Sequence, residues 1–252
     1  MHFERMAGEY ATARPPYPPA LFDALAGLGV IGHRVRVLEV GAGSGLATAD
    51  LVAAGCQVTA VEPGPRLAQL LRVAVPAATV VVTRLEDAEL PGGSFDSAVA
   101  AMSLHWVDLQ VGLPKLHRAL RPGGWLAVWR TAFGDETVPT TPFRACVQRI
   151  VSARQAAAVE PAQLADGVRR EERPTVEELT IAGWFTHVDT MRWQWSVELT
   201  TDQIHRLFST FSNWTPAEAS AAAAAADECG GPVTEHYASV LHVLRAAPPA
   251  RR

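Results

Sequence analysis

The stretch Val37-Leu-Glu-Val-Gly-Ala-Gly-Ser-Gly45 decides the fold, because a short strand-like run leads directly into three glycines at alternate positions. Glycine adopts backbone angles that side chains forbid, and it lets the backbone approach a ligand closely. A helix is predicted directly afterwards, over Leu46 to Ala54. A strand, a glycine-rich loop and a helix in this order are typical of a nucleotide-type cofactor site at the carboxyl end of a parallel strand.

Short β-branched runs alternate with helical segments from Arg34 onward, which is typical of a parallel sheet covered on both faces. Five strands are predicted at Val35 to Val40, Gln57 to Val61, Thr79 to Thr83, Ser97 to Ala101 and Trp125 to Trp129. Further helices are predicted at Pro65 to Val73 and Leu113 to Leu120, the second ending at an Arg121-Pro-Gly-Gly124 turn. Later elements are a helix at Val176 to Ala182 and strands at Phe185 to Val197 and Tyr237 to Leu244.

The 252 residues suffice for one large α/β domain with inserts. We expect an N-terminal helical lid segment over 1–33, a core over 34–138, and the rest of the same domain over 139–252. Two helical lid inserts are expected within this last part, at about 139–173 and 202–227. The second contains Ala221 to Ala226, which favours a helix because alanine has the highest helix propensity.

The composition argues against several classes of partner. A net charge of −4, with no basic run beyond the terminal Arg251-Arg252, makes nucleic acid an unexpected partner. The three cysteines, Cys56, Cys146 and Cys229, lack metal-ligand or disulfide-framework spacing, so we expect no metal. No apolar stretch has the length of a signal peptide or membrane span, which predicts a cytoplasmic chain without a membrane partner.

The glycine spacing separates two kinds of nucleotide cofactor. A dinucleotide fingerprint requires glycine at the sixth position of the loop, where this chain has Leu46, so a pyrophosphate is disfavoured. Glu62 ends the second predicted strand, where a carboxylate can accept hydrogen bonds from both ribose hydroxyls. After the third strand, Glu86 or Asp87 can accept from an adenine amino group, and Leu85 can pack on the ring.

Six more motifs accompany the glycine loop: Tyr10-x-x-x-Arg14-Pro-x-Tyr17-Pro18, Val61-Glu-Pro63, Glu86-Asp87, Gly93-Ser-Phe-Asp96, Leu104-His-Trp-Val107 and Leu120-Arg-Pro-Gly-Gly124. With them the chain resembles class I S-adenosylmethionine (SAM)-dependent methyltransferases, in the small-molecule branch that includes trans-aconitate methyltransferase-like and ubiquinone/biotin-pathway-like enzymes. The resemblance implies a Rossmann-like, seven-stranded, doubly wound sheet whose last strand is antiparallel, with helical lid inserts.

The resemblance also implies a set of cofactor contacts. Gly41, Gly43 and Gly45 would contact the methionine part of SAM, Glu62 the ribose, and Glu86 or Asp87 the adenine. Tyr10 and Arg14 would hold the amino-acid end, although both, with Tyr17, can instead form an N-terminal clasp without ligand contact. The remaining expected cofactor contacts are Glu39, Ala42, Pro63, Leu85, Ala101, Met102, Ser103 and Trp106.

His105 follows the fourth predicted strand and is the candidate general base for an acceptor hydroxyl or carbon acid. The alternative is that it only bonds to backbone or lines the pocket. Trp106 can cover the positive sulfur and exclude water. Residues expected to bind the acceptor are Tyr17, His105, Trp106, Arg130, Arg206, Ser209 and Phe211.

The leading hypothesis is a SAM-dependent methyltransferase that O- or C-methylates a small metabolite, as in natural-product biosynthesis, and releases S-adenosylhomocysteine. One alternative is a SAM-binding protein without methyl transfer, with a regulatory role or a role in cyclisation. Another is an NAD(P)-dependent oxidoreductase, which the early third glycine disfavours. After the fourth strand, the chain has Ser103-Leu-His-Trp where amino-methylating DNA and protein-glutamine enzymes have Asn/Asp-Pro-Pro-Tyr, which disfavours those two enzyme classes. The chain is expected to be a monomer or homodimer.

Overall fold

The computed structural model describes Gly8 and residues 13–135, 137–157, 174–211 and 213–248, with backbone only for 155–157. The helices are α1 (Pro19–Gly27), α2 (Leu46–Ala53), α3 (Pro65–Ala74), α4 (Leu109–Ala119), α5 (Pro142–Ala157), α6 (Val176–Thr180), α7 (Thr201–Ser209) and α8 (Pro216–Glu228). The strands are β1 (Arg36–Val40), β2 (Gln57–Val61), β3 (Thr79–Val81), β4 (Phe95–Ala101), β5 (Leu120–Phe133), β6 (Phe185–Leu199) and β7 (Val233–Ala246). Short 3-10 turns cover Leu85–Asp87 and Leu104–Trp106.

Seven strands of the described chain form one sheet in the order β3-β2-β1-β4-β5-β7-β6. The first five are parallel, with Val37 of β1 opposite both Val58 of β2 and Ser97 of β4. β7 is antiparallel to its neighbours. Along β6 and β7, Trp184 bonds to Ala247 and Thr190 to His242, so residue numbers rise on one strand as they fall on the other. The predicted Rossmann-like doubly wound sheet is confirmed.

Apolar side chains cover both faces of this sheet. One face packs against α1, α2 and α3, and the other packs against α4 and α6. Chain order reverses between β1 and β4, since the chain first proceeds outward to β3 and then returns to β4 and β5. Ligands of such sheets bind at this switch point, outside the carboxyl ends of the strands. The glycine loop after β1 lies at that position.

Two predicted boundaries around α4 and β5 were wrong. The helix begins at Leu109 rather than Leu113, because the Asp108 side chain accepts the Gln110 N–H at 2.9 Å and starts it one turn earlier. The predicted turn 121–124 is an irregularity inside β5, where Phe95 pairs with Leu120 but Ser97 pairs with Trp125. Tertiary pairing therefore overrides the local signals of glycine and proline.

The second insert is helical, as predicted, but is divided into α7 and α8. Each helix begins with a capping box, Thr200 with Gln203 and Thr215 with Glu218. The first insert contains α5, while 158–173 lie outside the described residues. In the described part of the chain, no helix combines the length and apolar character required to cross a membrane.

The chain divides into two compact units. The helical unit comprises 1–15, 132–169 and 194–238, and the core unit comprises 16–131, 170–193 and 239–252. The core unit contains β1 to β4 with α1 to α4 and α6, whereas α5, α7 and α8 pack on one another in the helical unit. Residues 16–33, which we assigned to a lid segment, group with the core unit, because Leu21 and Leu25 of α1 are buried in its apolar cluster.

Candidate active site

The glycine loop between β1 and α2 has a backbone that requires glycine. Gly41, Gly43 and Gly45 have φ angles of +65°, +59° and +98°, all in the left-handed region. A Cβ on Gly41 would lie only 2.5 Å from Cβ of Ser103, and one on Gly45 would overlap the side chain of Leu71. At Gly41 and Gly45, both the backbone conformation and the packing therefore exclude a side chain.

Glu62 connects the glycine loop to the loop after β2. Its Oε2 accepts the Gly43 N–H and its Oε1 accepts the Gly64 N–H, each at 2.8 Å. The residue is only 5% exposed. Sequence spacing predicted the position of this carboxylate but not its structural task, which is to hold the loop in shape. The two backbone donors leave each carboxylate oxygen with further capacity to accept.

Glu39 is the second buried carboxyl group of the loop and is 1% exposed. Its Oε2 accepts the Thr48 hydroxyl at 2.6 Å, whereas its Oε1 has no hydrogen-bond partner among the residues that the structure describes. Burial raises the pKa of Glu39 to about 8, the Thr48 bond partly offsets this, and the nearby charge of Glu62 adds to it. An acceptor without a partner in such a place is costly unless a ligand supplies one.

Met102 and Ser103 join the carboxyl ends of three strands. Met102 has a φ of +56°, an unusual conformation for a residue other than glycine, and its N–H donates to the carbonyl of Trp129 at 2.9 Å. The Ser103 hydroxyl donates to the carbonyl of Val40. The strained residue and the serine thus bring the ends of β1, β4 and β5 into contact beside the glycine loop.

The acidic pair after β3 has two different environments. Glu86 Oε1 accepts from the Arg84 guanidinium at 3.0 Å and from the Asp108 N–H at 3.1 Å. Burial raises the pKa of Glu86, but these bonds together outweigh it, so the net shift is downward. Asp87 is exposed, and Leu85 beside it is buried. The carboxylate of Glu86 therefore accepts the N–H of Asp108, the residue that precedes α4, whereas the carboxylate of Asp87 faces solvent.

His105 and Arg130 line one small pocket of the core unit, whose cavity volume is about 10 Å³. The ring centroids of His105 and Trp106 lie 5.1 Å apart, and Trp106 is 50% exposed. The full lining is Met102, Ser103, Leu104, His105, Val128, Trp129, Arg130, Pro174 and His242. The structure thus brings the candidate base and one candidate acceptor-binding residue together.

His242 is a member of this pocket that the sequence did not indicate. Its Nε2 lies 3.4 Å from an Arg130 nitrogen and its Nδ1 lies 2.9 Å from the Thr190 hydroxyl. Burial, and then the charge of Arg130, lower the pKa of His242 to about 4, so the imidazole is neutral at pH 7. The sequence did not indicate His242 as a site residue, because a lone histidine in an apolar strand looks like a core residue.

Other candidate residues lie elsewhere. Tyr17 packs edge-on against Trp129 in the core unit, with ring centroids 5.7 Å apart. In the helical unit, Arg14 lies over the rings of Phe133 and Phe211 at 5.0 and 4.6 Å. Arg206 pairs with Asp202 on the exposed side of α7, and Ser209 is half-buried at its end. Tyr10 lies outside the described residues. The assignment of these residues to ligand binding stays a prediction.

Residues 38–128 match the family model described as a methyltransferase domain. An uncharacterized methyltransferase of Mycobacterium bovis is 38% identical over 132 residues, which are 52% of this chain and 53% of that protein. A demethylmenaquinone methyltransferase of Tropheryma whipplei is 35% identical over 96 residues, which are 37% of this chain and 40% of that protein. The chain spans about half the length of the curated relatives it matches.

A solved structure from Anaeromyxobacter dehalogenans, named as a type II methyltransferase, covers 93% of this chain and 97% of its own. Its TM-score is 0.64 at 26% identity. The matched sequence segment contains β1, the glycine loop, Glu62, Asp87 and His105. By sequence, residues 38–128 are similar to a methyltransferase domain, and by fold the chain is similar to this solved methyltransferase structure.

Proposed function

We propose that this protein is a SAM-dependent methyltransferase. The observation that carries the proposal is the buried Glu39 carboxyl group under the glycine loop, whose Oε1 is without a hydrogen-bond partner in the described part of the chain. An ammonium group satisfies such an oxygen better than a neutral donor does, because a charge-assisted hydrogen bond is about twice as strong. The amino-acid end of SAM carries an ammonium group, and an isolated adenosine or nicotinamide nucleotide does not.

The residues around Glu39 suit the rest of this cofactor. Glu62 is fixed by two backbone N–H groups and can still accept from the two hydroxyls of a ribose. Asp87 is favoured over Glu86 for the adenine amino group, because Glu86 already accepts from Arg84 and Asp108. The remaining proposed contacts are Ala42, Pro63, Leu85, Ala101, Met102, Ser103 and Trp106. When bound, SAM supplies an activated methyl group on a positive sulfur.

The proposed acceptor is a small molecule that is methylated on oxygen or carbon, as in secondary metabolism and in the small-molecule branch named above. His105 is the proposed general base, and its place in a pocket with Arg130 and His242 supports this role. Trp106 would exclude water from the reacting atoms. Methyl transfer itself then requires little more from the chain than orientation and the removal of one proton.

Isothermal titration with SAM and S-adenosylhomocysteine tests cofactor binding. We expect Gly41→Ala to weaken binding at least about 30-fold, since the added methyl group collides with Ser103 and the φ of +65° is strained. Gly93→Ala is the matched control, because Gly93 has a φ of +66° but open space around its Cα. Absence of binding by the wild type, or equal binding by both variants, contradicts the proposal.

Catalysis needs a separate measurement. Recovery of S-adenosylhomocysteine during turnover with a metabolite library distinguishes methyl transfer from mere SAM binding, and NADH should not bind in a fluorescence titration. His105→Gln should reduce turnover about 100-fold while leaving SAM affinity unchanged. Unchanged turnover of this variant across the pH range would remove His105 from the role of base but leave the cofactor assignment intact.

A further inference from the structure

Two cysteines that are distant in the sequence lie side by side in the helical unit. Cys146 is in the first half of α5, and Cys229 follows the last residue of α8. The Cys146 side chain is near enough to raise the pKa of the Cys229 thiol. The Arg149 guanidinium, one turn along α5, donates to the Cys146 sulfur at 3.0 Å. The pair is therefore two neighbouring thiols beside a positive charge.

The packing of α5 against α8 fixes this arrangement. Val147 of α5 shares an apolar cluster with Ala222 and Ala226 of α8, and small side chains on α8 permit a close approach. Arg154, farther along α5, lies 3.9 Å from Glu218 near the start of α8. The two contacts at opposite ends show that the helices are antiparallel and in contact along their length.

The position of Cys229 is also fixed by the end of α8. Its N–H donates to the Ala225 carbonyl at 3.1 Å, and the next two N–H groups, of Gly230 and Gly231, donate to Asp227 and Ala226 at 2.9 and 3.0 Å. These bonds form a well-defined helix terminus. The cysteine side chain is exposed, so a small oxidant can reach the pair from solvent.

The two thiols have different chemical roles. The Arg149 guanidinium donates a hydrogen bond to the Cys146 sulfur, a setting that is typical of reactive cysteines. Partial desolvation, and then the neighbouring Cys146, raise the pKa of Cys229, so Cys229 retains its proton longer. This pattern is typical of an attacking thiol with a resolving partner next to it.

We propose that Cys146 and Cys229 form an oxidisable dithiol that closes to a disulfide between α5 and α8. The Cys146 sulfur attacks a peroxide oxygen as its thiol proton is lost, the O–O bond breaks, and the departing hydroxide takes up that proton, which leaves a sulfenic acid on Cys146 and one water. The sulfur of Cys229 then attacks the sulfenic sulfur, its proton leaves with the hydroxyl group as a second water, and the S–S bond forms. Two thiols are oxidised and one peroxide is reduced.

Cys56 provides an internal control within the same chain. It is buried in the core unit and accepts the Gly32 N–H through its sulfur at 3.4 Å. Burial raises the pKa of its thiol, which makes it a poor nucleophile. We expect it to stay reduced under conditions that link the other two cysteines.

The test is treatment of the full chain with stoichiometric hydrogen peroxide at neutral pH, followed by alkylation and mass spectrometry. We expect a loss of two hydrogens and a tryptic link between residues 145–149 and 207–245, with Cys56 alkylated. Arg149→Met should slow linking at least about threefold. Arg118→Met, at an exposed position of α4 in the core unit, removes the same charge away from the two thiols; it is the control and should leave the rate unchanged.

Three results would overturn the dithiol. The first is separate addition of oxygen to Cys146 and Cys229 without a link. The second is chain-to-chain dimers through Cys229. The third is an equal linking rate in urea-unfolded chains, which would show that the fold does not bring the thiols together. None of these results bears on methyl transfer, so the two proposals fail independently.

Discussion

Replacing Glu39 by glutamine should make the ligand-free protein more stable and the binding of SAM weaker. The amide has almost the same shape as the carboxyl group and keeps an oxygen for the Thr48 hydroxyl, which now lies 2.6 Å from Oε2. It carries no charge at any pH. The substitution therefore changes the ionisation of one buried group and little else.

The magnitude follows from the pKa of Glu39, which burial raises from 4.5 to about 8. At pH 4.5 the group is protonated in the folded chain and half protonated in the unfolded chain, and well below this pH it is protonated in both, so the variant and wild type should differ by less than about 1 kcal/mol. As the pH rises, the unfolded chain ionises first and the folded chain loses stability. Glu39→Gln should be about 3 kcal/mol more stable at pH 7 and about 5 kcal/mol more stable above pH 8, because each pKa unit equals about 1.4 kcal/mol.

Urea unfolding of both proteins between pH 4.5 and 9 measures this difference. The exposed Glu89→Gln is the control and should change the unfolding free energy by no more than about 0.5 kcal/mol. A difference between Glu39→Gln and wild type that does not vary with pH would refute the reasoning. Such a result would mean that Glu39 is ionised in the folded chain.

The same substitution has a signature in binding. An ammonium group beside Glu39 should lower the pKa of this carboxyl group, so S-adenosylhomocysteine should displace about 0.9 proton at pH 7, given the value of about 8 in the free protein. Titration calorimetry in phosphate and in Tris buffers reports the number of protons released. Glu39→Gln should release none and bind about 30-fold more weakly.

Four further single substitutions test individual side chains. Asp87→Asn should weaken S-adenosylhomocysteine binding about tenfold without changing the free energy of unfolding. Glu86→Gln should lower the free energy of unfolding in urea by about 1 kcal/mol without changing binding, because Glu86 bonds to Arg84 and Asp108 within the protein. Gly112→Ala should destabilise by about 2 kcal/mol, since the added carbon would lie 2.5 Å from a valine methyl group. Arg144→Met should lower the free energy of unfolding by about 3 kcal/mol, because the buried Glu235, which lies 3.3 Å from Arg144, would lose its counter-ion. Adding Glu235→Gln to this variant should restore at least half of the lost free energy.

The central sheet could be predicted from the sequence because its strands are short, apolar and bounded by residues that stop them. Gln57–Val61 agrees residue for residue with the prediction. The errors occur where tertiary packing tolerates a glycine or proline that would usually end a helix or a strand. Gly112 lies inside α4 because only glycine fits against Val107, and residues 121–124 are absorbed into β5 by its pairing with β4.

The candidate site could be located from spacing, since the carboxyl ends of β1, β2 and β4 must meet at the switch point. The task of each side chain could not be read in this way, because it depends on partners from other elements. Glu86, predicted as one of two possible adenine contacts, also accepts the N–H of Asp108 at the start of α4, and His242 looks like a core residue but lines the pocket with His105. Such roles depend on contacts that only the folded chain defines.

In the proposed site, the two buried carboxyl groups of the loop have separate roles in binding. Glu62 is satisfied by Gly43 and Gly64, so the loop has its shape before any ligand arrives, and little ordering cost remains for binding. Glu39 is left with an oxygen that lacks a partner in the described chain, and its pKa of about 8 keeps it protonated at neutral pH. At neutral pH, the proposed cation beside Glu39 would bring out this charge, and the folding free energy lost by burying the carboxyl group would contribute to the affinity for that cation. A chain selected for stability alone would have glutamine or an apolar residue at this position.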